Sequence, residues 1–142
     1  IPWRLATREF FQIVYDHLSA DGVLVINVGR APGDRRLIDG LAGTIGTIFP
    51  SIYVMDIPNT FNSILYATVQ PTTLDDVYAN YVALLERGDA HQLLLDALQR
   101  AIAYMQPVPQ SEMVFTDDLA PIEWITNDMI LSYMVGGMDE LK

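Results

Sequence analysis

Residues 23–28 read Val23-Leu24-Val25-Ile26-Asn27-Val28, a continuous, mostly apolar and β-branched run that Gly29 ends. The run lacks the alternation of a half-buried strand and is typical of a strand covered on both faces. Strands of that kind occur in parallel sheets that carry helices on both sides. The sequence therefore predicts an α/β fold built on one buried parallel strand.

Helices and an antiparallel pair are predicted on either side of this strand. Thr7 and Asp34 are suitable caps for a helix before it and a helix after it. Residues 52–57 and 63–69 are strand-like, and residues 58–62 between them are rich in turn formers. The order helix, buried strand, helix, strand, turn, strand predicts half of an open α/β sheet that ends in a hairpin. A central parallel strand would then lack one neighbour within the chain, and we expect the missing strands to precede Ile1.

Three glycines lie three residues apart on the helix after the strand, at Gly40, Gly43 and Gly46. Each costs a helix roughly 1 kcal/mol relative to alanine. Their spacing predicts a close backbone contact along one side of this helix.

Residues 1–70 are interpreted as a half sheet, and residues 71–142 as an acidic helical extension of the same domain. The net charge is −10, and the first range holds five basic against six acidic residues while the second holds three against twelve. A surface of this sign makes nucleic acid and anionic membranes poor partners. The chain has no cysteine and two histidines, so we predict no metal site.

The chain is 142 residues long, with 51% hydrophobic and 18% charged residues, which suits one domain with a sizeable core. No apolar stretch approaches the roughly 18 residues of a membrane-spanning helix, and the charged first twenty residues are not a secretory signal. We therefore predict no membrane contact by this segment and a cytoplasmic protein. The opening Ile1-Pro2-Trp3 has no initiator methionine, so we interpret the chain as a piece of a longer one.

Ligands of open α/β sheets bind at the carboxyl ends of the strands. Asn27, Gly29 and Arg30 lie at that end of the buried strand, although local backbone contacts and solvation explain them equally well. The hairpin turn adds amides and an aromatic ring, while a turn alone would also select asparagine. The predicted substrate-binding residues are Asn27, Gly29, Arg30, Asn59, Thr60 and Phe61.

Two other motifs have plainer explanations. Residues 29–33 follow a strand but lack the glycine spacing of a dinucleotide loop, which favours an ordinary loop. Asp117-Asp118 fits a pair of catalytic carboxylates or metal ligands, but capping of a helix near Pro121 is the favoured interpretation. No catalytic residue is assigned.

Three stretches resemble the later half of the spermidine synthase family: Ile1 to Phe11, Asp21 to Asn27, and Tyr53-Val54-Met55-Asp56-Ile57-Pro58. A fourth stretch, Thr116-Asp117-Asp118-Leu119-Ala120-Pro121-Ile122-Glu123, resembles the T-D-D-x-A-P-V-E segment of spermidine synthase-like proteins. Those proteins are often fused to transporter-like membrane helices. The resemblance implies the carboxy-terminal half of a Rossmann-like class I methyltransferase sheet.

The family transfers an aminopropyl group from decarboxylated S-adenosylmethionine to a polyamine. By this resemblance its adenosine loop, ribose carboxylate and catalytic aspartates would precede Ile1, so we expect no cofactor in this chain and decarboxylated S-adenosylmethionine in the complete parent. Two positions depart from the family: Gly29-Arg30 stand where many members have an acidic residue, and Thr60 stands where they have an aromatic. A cationic Arg30 would repel a polyamine, so the parent's substrate is open.

Two hypotheses follow. The chain is either part of an aminopropyltransferase-like or related S-adenosyl-dependent enzyme, inactive alone, or a non-catalytic α/β scaffold or interaction domain derived from that fold. In both cases we predict that the free edge of residues 23–28 pairs with another copy or with the missing N-terminal half.

Overall fold

The computed structural model describes residues 2–31, 33–108 and 111–139, and these residues form four strands, five α-helices and one 3-10 turn. The fold is α/β, because all four strands join one sheet and helices pack beside it. In chain order the elements are the 3-10 turn Trp3–Leu5, α1 (Arg8–His17), β1 (Val23–Gly29), α2 (Arg36–Gly46), β2 (Ser51–Asp56), β3 (Asn62–Thr68), α3 (Leu74–Arg87), α4 (Gln92–Tyr104), β4 (Met105–Pro107) and α5 (Ile122–Asp139).

The sheet has the strand order β1-β3-β2-β4, and each neighbouring pair is antiparallel. Because β3 lies between β1 and β2 and is antiparallel to both, β1 and β2 run in the same direction. The predicted hairpin is confirmed as β2 and β3, with Asp56 opposite Ser63 next to the turn. β4 adds a short strand on the far side of β2, which the sequence did not predict.

The prediction of one buried parallel strand differs from the structure in two respects. Within the described residues β1 pairs only with β3, and that pair is antiparallel; a parallel neighbour on its free side stays a prediction. The strand is also not covered on both faces, since Val23 and Val25 are 50% and 55% exposed while Val28 is fully buried. The core lies on the Val28 face alone, so the other face of an apolar strand is open.

The core lies between one face of the sheet and helices from both halves of the chain. Leu65 of β3 lies between Ile26 and Val54 in the strand register. Burial of one such side chain contributes about 1.5–3 kcal/mol. The division at residue 70 stays a prediction, but both ranges contribute to the same cluster, which includes Phe11, Leu41, Ile45, Phe115, Ile122 and Ile125.

The predicted close contact along α2 is present, and its partner is the segment before α5. A Cβ atom added to Gly40 would lie 2.3 Å from the Phe115 ring, and one added to Gly43 would lie 2.3 Å from the Met113 carbonyl oxygen. Real Cβ atoms do not approach so closely. Glycine at these positions therefore lets the 111–116 segment lie directly on α2.

Thr44 connects the same two segments through its hydroxyl, which is fully buried. Its Oγ1 donates to the Gly40 carbonyl at 2.6 Å and accepts from the Phe115 amide at 2.8 Å. The Phe115 carbonyl in turn accepts from the Arg8 amide at 2.8 Å, at the start of α1. One residue of the irregular segment is thus fixed to two helices at once.

Thr7 caps α1 as predicted, because its hydroxyl accepts from the Phe10 amide. Asp34 is not the N-cap of α2: Arg35 holds that position, and Asp34, one residue earlier, accepts from the Arg36 amide. Thr73 and Asp76 form a reciprocal capping box on α3. Among the described helices, none has the combination of length and apolar character that a membrane span requires.

Gly43→Ala is expected to lower the free energy of unfolding by about 1–3 kcal/mol, because the new methyl group meets the Met113 carbonyl oxygen. Chemical denaturation monitored by circular dichroism measures the change. Gly136→Ala in α5 is the matched control, since nothing lies within 4 Å of its added Cβ. That control gains helix propensity without a clash, so a Gly43→Ala protein as stable as the control would contradict the described contact.

Candidate functional site

The end of β1 and the turn between β2 and β3 lie side by side at one end of the sheet. Gly29 is opposite Asn62 in the register, and the Arg30 amide donates to the Phe61 carbonyl at 2.8 Å. The backbone thus brings the two predicted groups of site residues to the same edge, because β3 begins where the turn ends. Whether they bind a substrate stays a prediction.

The turn itself is closed by its own polar groups. Asn59 has a φ of 59°, a left-handed conformation that asparagine tolerates better than most residues. The Thr60 hydroxyl donates to the Ile57 carbonyl at 2.9 Å and accepts from the Asn62 amide at 3.2 Å. The turn therefore accounts for Asn59 and Thr60 without a ligand.

The side chain of Arg30, which follows β1, extends toward the turn and the end of β2. Its Nη2 donates to the Thr60 carbonyl at 3.1 Å, and its Nε lies 3.8 Å from Asp56 Oδ1. The side chain is 20% exposed, and Nε is buried without a hydrogen-bond partner among the described residues. Arg30 is therefore held at the sheet end rather than fully solvated.

Asp56, the last residue of β2, is the centre of this charged cluster. It accepts from the Ser63 hydroxyl at 2.5 Å and from Arg35 Nη1 at 2.7 Å. Burial alone would raise the pKa of Asp56, but the Ser63 hydroxyl and then the Arg35 and Arg30 guanidinium groups together hold it below the ordinary value of 3.8. The carboxylate is ionised and already accepts hydrogen bonds from Ser63 and Arg35, which makes it a poor proton acceptor.

Asp56, Ser63 and Arg35 were not predicted as site residues. Asp56 stands immediately before the Ile57-Pro58 turn, at the carboxyl end of a strand, where ligands of open α/β sheets bind. A charged residue at that position could have been recognised as a candidate site residue. Arg35 gave no comparable signal, because its contact with Asp56 spans 21 residues and depends on how α2 packs.

Asn27 and Asn59 face different surfaces from Arg30. Asn27 alternates with Val28, so its exposed side chain lies on the open face of the sheet beside Val25. Asn59 lines a cleft of about 380 Å³ with Met55, Arg100 and Tyr104. The six predicted residues therefore share one end of the sheet but do not line one pocket.

Phe61 and Gly29 complete the predicted set. The Phe61 ring is half exposed and packs edge-on against Tyr133 of α5, with 5.4 Å between the ring centroids. Gly29 has open space where a side chain would begin. Both are accessible to a molecule at this end of the sheet.

The Asp117-Asp118 motif lies in a tight turn before α5. Thr116 and Leu119 exchange backbone hydrogen bonds across it, and the Asp117 amide donates to Glu9 Oε2 at 3.1 Å. In the part of the chain that the structure describes, no three His, Asp or Glu side chains are grouped so as to hold a metal. The motif thus forms a turn whose backbone is hydrogen-bonded to Glu9 of α1.

The fold and this charged sheet end define an α/β chain whose polar groups gather where β1 and β2 end. A 70-residue stretch is 34% identical to a "Probable polyamine aminopropyl transferase" of Bifidobacterium longum (strain NCC 2705). The match covers 47% of this chain and 16% of the length of that relative. It supports the resemblance to the spermidine synthase family, while a fusion to transporter-like helices stays a prediction. No protein-family profile and no solved structure matches the chain.

Asp56→Asn is expected to lower the free energy of unfolding at pH 7 by about 1 kcal/mol, less than the roughly 1.5–3 kcal/mol of a hydrogen bond to a charged group, because Asp56 is partly exposed. The folded-state pKa of Asp56 is lowered, so its stabilisation is present above pH 3.8 and is lost as the pH falls further. Urea unfolding at pH 7 and pH 3 measures both effects.

The control is Asp118→Asn, an exposed carboxylate in the turn before α5. It is expected to change stability by less than about 0.5 kcal/mol at either pH. An Asp56→Asn deficit that is as large at pH 3 as at pH 7 would argue against the lowered pKa.

Proposed function

We propose that the chain is part of a spermidine synthase-like aminopropyltransferase, or of a related S-adenosyl-dependent transferase, and that it is inactive alone. The 34% identity over 70 residues to the bacterial protein is the observation that carries this proposal. The strand order β1-β3-β2, with a terminal antiparallel pair, is compatible with the sheet that the resemblance implies. Since the match covers 16% of the relative, most of that protein has no counterpart in the aligned stretch.

Decarboxylated S-adenosylmethionine is the cofactor implied for the complete parent, but the described residues do not fit it. An adenosine site needs a free carboxylate for the ribose hydroxyls. At this end of the sheet the carboxylate of Asp56 is already bound by Ser63 and Arg35. The sulfonium of the cofactor is cationic, and Arg30 and Arg35 would repel it. We therefore assign no cofactor contact and no catalytic step to this chain.

The charges of the cluster also bear on the parent's substrate. Arg30 and Arg35 contribute two positive charges, and Asp56 contributes one negative charge. A polyamine approaching Arg30 and Thr60 would meet a net positive edge, which disfavours it. We propose that a parent using this edge takes an acceptor with fewer positive charges than a polyamine.

A second candidate function is a non-catalytic scaffold or interaction domain. It is favoured by the state of Asp56, whose oxygens are engaged in structural contacts with Ser63 and Arg35 instead of being free for chemistry. The sequence preceding Ile1 distinguishes the two candidates. An aspartate-rich gate and a G-x-G turn there support the enzyme, and their absence supports the scaffold. The cytoplasmic location stays a prediction for both.

The purified chain is expected to catalyse no aminopropyl transfer and to bind methylthioadenosine weakly, because the cluster offers no free carboxylate and carries excess positive charge. Isothermal titration calorimetry measures the binding. An active aminopropyltransferase titrated in the same buffer is the positive control. Micromolar binding to this chain would show that it contains the adenosine site and would overturn the proposal of an inactive part.

We propose that the edge of β1 that no described strand covers pairs with another copy or with a preceding N-terminal half. In the purified chain at high concentration, the β1 amides are then expected to exchange hydrogen more slowly than after dilution, because pairing satisfies them. Exchange followed by mass spectrometry tests this. β2 is the internal control, since it lies between β3 and β4 and needs no second chain. Exchange in β1 that is independent of concentration would exclude self-pairing at this edge.

A further inference from the structure

A cleft of about 380 Å³ lies between the end of α4 and the turn that joins β2 and β3. This volume is at the lower end of the range of small-molecule sites, roughly 300–1,000 Å³. Its walls combine apolar side chains and one aromatic ring with two strongly polar groups, an amide and a guanidinium, as such sites usually do. The lining residues are Met55, Ile57, Pro58, Asn59, Arg100 and Tyr104.

Both walls of this cleft are held in place by the fold. On the helix side, Ala101 is buried, and Arg100 and Tyr104 are four residues apart, so they lie on the same side of α4. On the turn side, the Thr60 hydroxyl donates to the Ile57 carbonyl at 2.9 Å. A preformed cleft loses little conformational entropy when a ligand binds, so these walls are suited to a small molecule.

The cleft carries positive charge in a strongly acidic protein. The chain has 18 acidic and 8 basic residues. Among the described residues that line the cleft, none is acidic, and Arg100 is positively charged. Asp56 follows Met55 in β2, but alternation along the strand places it on the opposite face of the sheet, where it binds Ser63 and Arg35.

The guanidinium of Arg100 is not neutralised by a carboxylate. Within the described residues it forms no ion pair. Asp96, one turn earlier on α4, accepts from Gln92 at 2.8 Å and lines a neighbouring cleft. The negative end of the α4 dipole is close, because the helix ends at Tyr104, but it amounts to about half an elementary charge. The full charge of Arg100 outweighs it, so the cleft attracts anions.

We propose that this cleft binds a small organic molecule that has one carboxylate and an apolar or aromatic body. Arg100 binds the carboxylate through two parallel N–H groups, a geometry that the planar guanidinium favours. The body of the ligand lies against Met55, Pro58 and the Tyr104 ring, and Asn59 offers an amide to a second polar group. The proposal rests on this cleft alone and is independent of the proposed transferase function and of pairing at the β1 edge.

Three probes that share one aromatic ring and differ in charge test the class of ligand. They are phenylacetate, neutral phenylacetamide and cationic phenethylamine, each titrated into the wild-type chain and followed by the NMR chemical shifts of its backbone amides. We expect phenylacetate to bind with a Kd on the order of 1 mM, at least about tenfold tighter than phenethylamine, and to shift residues 57–60 and 100–104. No binding of phenylacetate below about 10 mM, or tighter binding of the cation, would overturn the proposal.

Arg100→Gln tests the residue that carries the proposal, because it removes the charge and keeps a good helix former. It is expected to weaken phenylacetate binding by at least about tenfold and to leave phenylacetamide binding unchanged. Arg100→Lys keeps the charge without the planar fork and is expected to lose less affinity.

The matched control is Arg87→Gln, which makes the same change of charge at the exposed end of α3, outside the cleft. It is expected to bind phenylacetate as the wild type does. An equal loss of affinity in Arg87→Gln and Arg100→Gln would assign the effect to net charge and overturn the site. Urea unfolding of each variant, matching the wild type, would support a direct effect of Arg100 on binding.

Discussion

A buried hydrogen bond from the Phe115 amide to the Thr44 hydroxyl connects the first part of the chain to the last. Both groups are removed from water, so losing either partner would leave a buried polar atom unpaired at a cost of about 1–3 kcal/mol. Gly40 and Gly43 make the bond possible because they let the 111–116 segment lie against α2. The placement of the segment that leads into α5 therefore depends on this contact.

The end of the sheet owes its character to a different constraint, the compensation of charge. Asp56 is the carboxylate that balances Arg30 and Arg35, and Ser63 fixes its orientation. The same contacts that stabilise the turn occupy the groups that chemistry would need. This end of the sheet therefore carries net positive charge, and its polar groups are already engaged in contacts with one another.

Local signals predicted the parts of the fold that local physics decides. Thr7 caps α1 because its hydroxyl accepts from the Phe10 amide three residues away, and the hairpin follows from its turn residues. The open face of Val23 and Val25 could not be read from their apolar character, since that depends on which side the helices occupy.

The candidate site also combines features that the sequence could predict with features that it could not. The sequence placed Arg30 and Thr60 at one end of the sheet, and the structure brings them into hydrogen-bond contact. It could not show that Asn27 faces the opposite side, because that requires the register of β1 relative to the core. Nor could it predict that Arg35 reaches Asp56, since their contact forms only when α2 docks on the sheet.

The helical hairpin of α3 and α4 has a consequence for how this protein can be altered. None of the α3 residues is buried, and Ala101 is the buried residue of α4. The link at Gly88 is exposed, with a φ of 70°, and no residue of α3 or α4 belongs to the core cluster. Closing a longer loop costs free energy that grows only slowly with its length. The tip of this hairpin is therefore a natural point for inserting a tag or a whole domain while the sheet keeps its packing.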